Sequence, residues 1–159
     1  MTCKERLEAY LRENGVPHES QHHARAITAK EVAAAEHVPG RMFAKTVIVL
    51  PDDANLVMLV LPAPYHVNTH KAASALGVSE VHLASEERFV DAFPDCDVGA
   101  MPPFGNLYDV PVYADRTLLE DETIVFRAGT HTDTMSVSYA DFEKLVGPSV
   151  ADFADHASI

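Results

Sequence analysis

The sequence predicts an α/β (α+β) fold, a single domain over residues 1–159 built on a mixed β-sheet of about six or more strands with flanking helices. Three observations predict it. Short β-branched runs such as Phe43 to Leu50 and Leu56 to Leu61 alternate with capped segments of helical period. No Gly-rich strand-to-helix turn accompanies them, which argues against a doubly wound nucleotide fold. The 159 residues, 47% hydrophobic and 23% charged, suit one core rather than two or a disordered chain.

The elements follow in order. Cys3 to Asn14 reads as an amphipathic helix with Leu7, Tyr10 and Leu11 on one face and Gly15 as its stop. Val16-Pro17-His18 breaks into an extended segment reaching His23. Thr28-Ala29-Lys30-Glu31 is a capping-box pattern opening a short helix to Ala35. Phe43 to Leu50 and Leu56 to Leu61 form a hairpin across the Pro51–Asn55 turn, apolar enough for burial on both faces. Asn68 or Thr69 caps a helix ending at Gly77. Val81 to Leu83 is a short strand, and Ser85 caps Glu86 to Ala92. Val110 to Tyr113, Thr123 to Phe126 and Met135 to Val137 are strands, and Ser138 to Asp141 opens a last helix to Val146. Asp152 to Ile159 is expected as a final helical turn or a frayed tail.

The formal net charge is -12. Residues 1–45 carry seven bases and six acids, and residues 46–159 carry five bases and 18 acids. Such a chain is unsuited to broad phosphate-driven nucleic-acid binding or to an anionic membrane surface. No secretory signal or membrane span is expected, so the localisation is cytoplasmic, with Cys3 and Cys96 as reduced thiols. With no apolar heptad or surplus hydrophobic helix, a monomer is expected.

Candidate chemistry collects at three places. Lys45 opens a buried-looking strand, so its ammonium either reaches water or points into a polar cleft, where it can anchor an anionic or carbonyl oxygen. Gly99-Ala100-Met101-Pro102-Pro103-Phe104-Gly105 brackets two prolines with glycines. Such a loop is either a rigid connector or a cradle presenting Gly99, Ala100 and Met101 amides to a carbonyl oxygen. His131, in the polar turn Ala128–Asp133, either is merely exposed or serves in binding and proton transfer. His66 and His70 have metal-like spacing but straddle a helix start and lack companion ligands, so no metal or other cofactor is expected. Cys96, between Asp95 and Asp97, would be a poor nucleophile. No Gly-x-Ser-x-Gly elbow, phosphate loop or His-Glu-x-x-His appears.

Thr28-Ala29-Lys30-Glu31-Val32-Ala33, Ala44-Lys45-Thr46, Gly99 to Gly105, Val110 to Asp115 and Phe126-Arg127-Ala128-Gly129, in that order, resemble the YbaK-type trans-editing family. These proteins are relatives of the editing insertion of bacterial prolyl-tRNA synthetase. The resemblance implies a metal-independent hydrolase that deacylates mischarged tRNA in trans, such as tRNA for proline carrying alanine or another small amino acid. It implies Lys45 as the key lysine and Gly99 to Pro103 as the family's Gly-x-x-x-Pro loop gripping the aminoacyl group. His131 matches a working histidine of some alanine-specific members. The cysteine-specific type carries a Gly-Gly-Ile-Ser-Pro-like loop and no such histidine, and this chain departs from it.

With no side-chain nucleophile in view, catalysis would rest on positioning and electrostatics. Gly99 is then a catalytic candidate with Lys45 and His131. Ala100, Met101, Pro102, Pro103 and Phe104 are candidates for substrate binding. Thr46 and Asp115 are candidates for orienting roles, and His22 and His23 for the amino-acid pocket. A single charged tRNA 3′ end needs only local contacts, so the expected approach face is Arg25, Lys30, Arg41 and Lys45. A synthetase or elongation factor could hold the tRNA body. The alternatives are a non-catalytic module binding a tRNA end or a protein, and a metal hydrolase built on His66, His70 and His131.

Overall fold

The computed structural model describes residues 1–22, 40–52 and 55–155, leaving aside the Arg41 side chain. The expected helix from Thr28 to Ala35 lies outside these residues, as do His23, Arg25, Lys30 and the tip of the first hairpin. Helix α1 (Cys3–Glu13) forms as its pattern predicts. Thr2 and Glu5 close a reciprocal capping box at its start, and Leu7 and Leu11 are buried. Strand β1 (Glu19–His22) follows. Strands β2 (Ala44–Pro51) and β3 (Val57–Pro62) pair antiparallel as the expected hairpin. Every residue of β3 is buried, because both of its faces are covered.

Strand β4 (His66–Val67) leads into α2 (Thr69–Leu76), capped by the Asn68 side chain and ended by Gly77 in the left-handed region. Strand β5 (Val81–Leu83) precedes the short turn α3 (Glu86–Phe89), and β6 (Val112–Asp115) follows the irregular loop. The β6 start is displaced from its predicted position because the Val110 N–H closes back on the Gly105 carbonyl at 2.9 Å. Strands β7 (Thr123–Arg127) and β8 (Asp133–Ser138) lead to α4 (Tyr139–Val146), capped by Ser138. Strands β9 (Ser149–Ala151) and β10 (Ala154–Asp155) close the described chain.

The five-stranded sheet β5-β2-β3-β6-β9 is mixed, with antiparallel pairs around β2 and parallel pairs around β6. An antiparallel sheet β1-β8-β7 stands beside it, joined by a parallel bridge between Phe43 and Val125. The larger core lies between these sheets, with Phe104, Phe126 and Phe142 in edge and tilted contacts. The smaller core, including Leu59, Leu61, Ala72 and Phe153, fills the opposite face under α2.

Two expectations are corrected. The C-terminal segment is neither helical nor frayed through Asp155. Phe153 is wholly buried and β10 pairs with β4, which spares an apolar ring from water. Cys3 and Cys96 are not free thiols but are joined in a disulfide, with their Cα atoms 5.0 Å apart. That separation suits a bridge, and it arises because α1 packs its first residue against the loop that follows Asp95. The Cys3 N–H donates to the Asp95 carbonyl at 3.1 Å. No helix among the described residues is long and apolar enough to cross a membrane.

Candidate active site

The loop from Asp97 to Gly105 is held at each end by backbone. The Asp97 N–H donates to the Gly129 carbonyl at 2.8 Å, and the Gly129 N–H donates to the Ala100 carbonyl at 2.9 Å. The Thr46 hydroxyl donates to the Met101 carbonyl at 3.0 Å. The far end passes through Gly105, where an added Cβ would stand 2.5 Å from the Val110 carbonyl oxygen, so only glycine fits. Between these ties Gly99 adopts φ +82°, a left-handed conformation open to glycine, and it is exposed.

The expected amide cradle is therefore partly corrected. The Ala100 N–H is occupied by the Asp97 carbonyl at 3.0 Å and cannot face a ligand. Among the described residues the Gly99 and Met101 amides have no hydrogen-bond partner. Pro102 and Pro103 are buried and stiffen the loop. Phe104 is fully buried against Phe126 and Phe142, so it belongs to the core rather than to a substrate surface.

His131 lies against this loop. Its Nε2 is 2.8 Å from the Val98 carbonyl oxygen, and a Cβ on Gly99 would stand 3.4 Å from its Cε1. A carbonyl only accepts, so Nε2 carries the proton and Nδ1 of the neutral ring is left as an acceptor. The turn is rigid for a reason that residue types alone did not disclose. Thr130 Oγ1 accepts the Asp133 and Thr132 amides at 3.0 and 3.3 Å and donates to Asp133 Oδ2 at 2.6 Å. Asp133 also receives Lys4 Nζ at 3.2 Å and His22 Nδ1 at 3.0 Å. Burial pushes its carboxyl pKa up, but the bonds from Thr130, His22 and Lys4 outweigh this and hold it below the usual range.

Lys45 is half-buried, and desolvation lowers its ammonium pKa. Its register partner is Leu61, while Thr46 lies opposite Val60, so strand alternation turns Lys45 to the face opposite Thr46. Lys45 and Arg127 each lie two residues beyond the Phe43–Val125 bridge, in the same direction along neighbouring strands. Arg127 reaches the Gly99 carbonyl at 3.5 Å, and burial disfavours its charge as well. Arg127 thus brings a half-buried cation to the loop, with Lys45 beside it on the neighbouring strand, and Arg127 was not among the expected site residues.

Two expected residues have structural partners of their own. Asp115 is buried, and its carboxylate is filled by the Thr117 amide and hydroxyl and by the Phe153 and Ala154 amides. It secures the C-terminal segment instead of orienting a substrate. His22, on edge strand β1, is tied instead to Asp133 beside the His131 turn.

Residues 23–145 match the aminoacyl-tRNA editing domain family. The chain belongs to that family. A stretch of 89 residues is 30% identical to the proline–tRNA ligase of Bacillus mycoides, covering 56% of this chain and 15% of that one. A stretch of 98 residues is 30% identical to the multifunctional Ser/Thr-tRNA deacylase ProXp-y of Escherichia coli K12, covering 61% of this chain and 58% of the relative. The editing-domain chain thus spans less than two thirds of the length of either relative. A solved structure described as a candidate trans-editing enzyme for prolyl tRNA synthetase shares its fold, with TM-score 0.84 and 20% identity over 98% of both chains. Within this family the Asp97–Gly105 loop, the His131 turn and the start of β2 form the candidate site.

Proposed function

We propose that the chain is an aminoacyl-tRNA deacylase acting in trans, without a metal, on tRNA charged with a small wrong amino acid. The observation that carries this reading is the exposed Gly99 in left-handed conformation, with its amide and that of Met101 unpartnered among the described residues. Backbone donors fixed in place stabilise charge on a carbonyl oxygen without reorganising during the reaction. The His131 Nδ1 lone pair can accept a proton from the attacking water or ribose hydroxyl. Lys45, with Arg127 beside it, supplies positive charge for the ester or the terminal phosphate. Arg25, Lys30 and Arg41 are the further cations proposed to meet the tRNA end.

One relative is named for proline–tRNA ligation and another for Ser/Thr-tRNA deacylation, which supports serine or threonine as the amino acid released; alanine is added from the family resemblance. The test is a panel of Ala-, Ser-, Thr-, Cys- and Pro-tRNA treated with wild type and Lys45→Ala. Release of a small amino acid by wild type and its loss in Lys45→Ala supports the proposal. No turnover on any charged tRNA overturns the enzyme, and equal rates for the two proteins overturn the role of Lys45.

A further inference from the structure

We infer that Cys3–Cys96 is a reversible thiol–disulfide site whose oxidised form holds the Gly99 loop against the His131 turn. Cys96 lies one residue before Asp97 and Cys3 heads α1, so the bond ties that helix to the base of the loop. The tie falls on the point where loop and turn meet. An added Cβ at Gly129 would stand 2.6 Å from Cys3 Cβ and 2.8 Å from Cys3 Sγ. Cys3 is thus packed directly on the residue that makes both backbone bonds to the loop, Asp97 N–H to Gly129 O and Gly129 N–H to Ala100 O.

The surroundings suit reversal. Cys3 is buried and Cys96 is half-buried, so a dithiol reductant reaches Cys96 first. Its thiolate attacks Cys96 Sγ, the S–S bond breaks, and Cys3 leaves as a thiolate that then takes up a proton. Cys3 is the first residue of an 11-residue helix, where the partial positive charge of the N-terminus stabilises that leaving group. The second thiol of the reductant then attacks the mixed disulfide, frees the Cys96 thiol and closes its own disulfide. Two electrons and two protons have passed to the protein.

The start of α1 and Asp95 stay tied after reduction, while the loop beyond Cys96 loses its covalent link to the helix. Tyr108 Oη lies 3.3 Å from each sulfur and donates to Asp95 at 2.9 Å. Arg6 pairs with Asp95 at 2.8 Å and covers the Tyr108 ring at 5.4 Å. Reduction therefore loosens the loop without releasing the helix. A cytoplasm that keeps thiols reduced would hold the site in its slack form, and an oxidant would tighten it.

The effect on rate rests on the deacylase reading above, whereas the effect on the loop does not. The full chain is equilibrated with oxidised or reduced dithiothreitol. Thiols are titrated, and amide exchange at Asp97 and Gly129 and deacylation of Ala-tRNA are measured in each state. The expected result is no titratable thiol in the oxidised chain. Reduction should give roughly tenfold faster exchange at both amides and roughly fivefold slower deacylation. Cys96→Ser should match the reduced protein under both conditions. Titratable thiols in the oxidised sample, or equal exchange in the two states, overturns the inference. Absence of turnover in both states counts against the deacylase alone, and amide exchange then decides the redox site.

Discussion

The Thr46 hydroxyl donates to the Met101 carbonyl at 3.0 Å, joining the third residue of β2 to the middle of a loop 55 positions further along the chain. The contact fixes the loop at Met101, a buried residue whose own amide has no hydrogen-bond partner among the described residues. Thr46→Val keeps the shape and removes the donor. It should cost about 1–2 kcal/mol in denaturant unfolding, because the Met101 carbonyl loses its partner. Deacylation should fall roughly tenfold, while Thr46→Ser restores both. An unchanged rate in Thr46→Val would show that the loop is set without this bond.

Lys45 makes a prediction about pH. Burial holds its ammonium pKa below the ordinary 10.5, so between the folded value and 10.5 the unfolded chain binds more protons. Wild-type stability should therefore rise with pH through that window relative to Lys45→Met. At neutral pH, where the charge is carried in full, Lys45→Met should be the more stable protein. Urea unfolding at pH 7 and pH 10 checks this. A gap that does not narrow at the higher pH would mean that Lys45 is hydrated in the folded chain.

Asp133 has the opposite sign. Its folded pKa is lowered from 3.8, so its contribution is complete above 3.8 and is lost as pH falls through the folded value. Asp133→Asn should lose about 2–3 kcal/mol at pH 6, since Lys4, His22 and Thr130 are deprived of a charged acceptor in a buried place. Thermal melts from pH 6 to pH 2.5 should show the two proteins converging at the acid end. A constant difference would assign the loss to shape rather than charge.

Gly105→Ala tests the far end of the loop. Its methyl would meet the Val110 carbonyl oxygen at 2.5 Å and Val112 Cγ2 at 2.8 Å. A backbone atom cannot swing aside as a side chain can, so the substitution should cost roughly 2 kcal/mol or more. A melting temperature equal to that of wild type would show that the loop has room to shift.

His131→Ala should lower deacylation by about a hundredfold if Nδ1 takes the proton. Stability should change little, since the ring is exposed and makes one bond, to Val98. Steady-state kinetics beside a melt separates the two effects. A rate within twofold of wild type would leave His131 a support for Val98.

Much of the fold was legible because its elements are marked locally. Asn68 and Gly77, or Ser138 and Gly147, bound their helices through bonds within a few residues. The unbroken apolar run of β3 announced a strand covered on both faces. The short strands β4, β9 and β10 escaped, since two or three residues carry no period. Strand β1 escaped as a sheet member because all of its residues are exposed on an edge. In the candidate site, glycines and prolines marked the loop, but nothing in their order told which amide was already occupied.

The sequence by itself determined the fold class, the order of the main strands and helices, and the residues at which to look for chemistry, Lys45, Gly99 and His131. The elements rest on local propensity, capping and backbone freedom, which act over a few residues, whereas Lys45 and His131 take their functional reading from the family resemblance. Tertiary structure alone decided that Cys3 meets Cys96 and that Asp115 serves the C-terminal segment. It also decided that Phe104 is core, and that Arg127 and Asp133 join the site's surroundings. Each of these depends on partners dozens of residues away, brought together by the packing of two sheets.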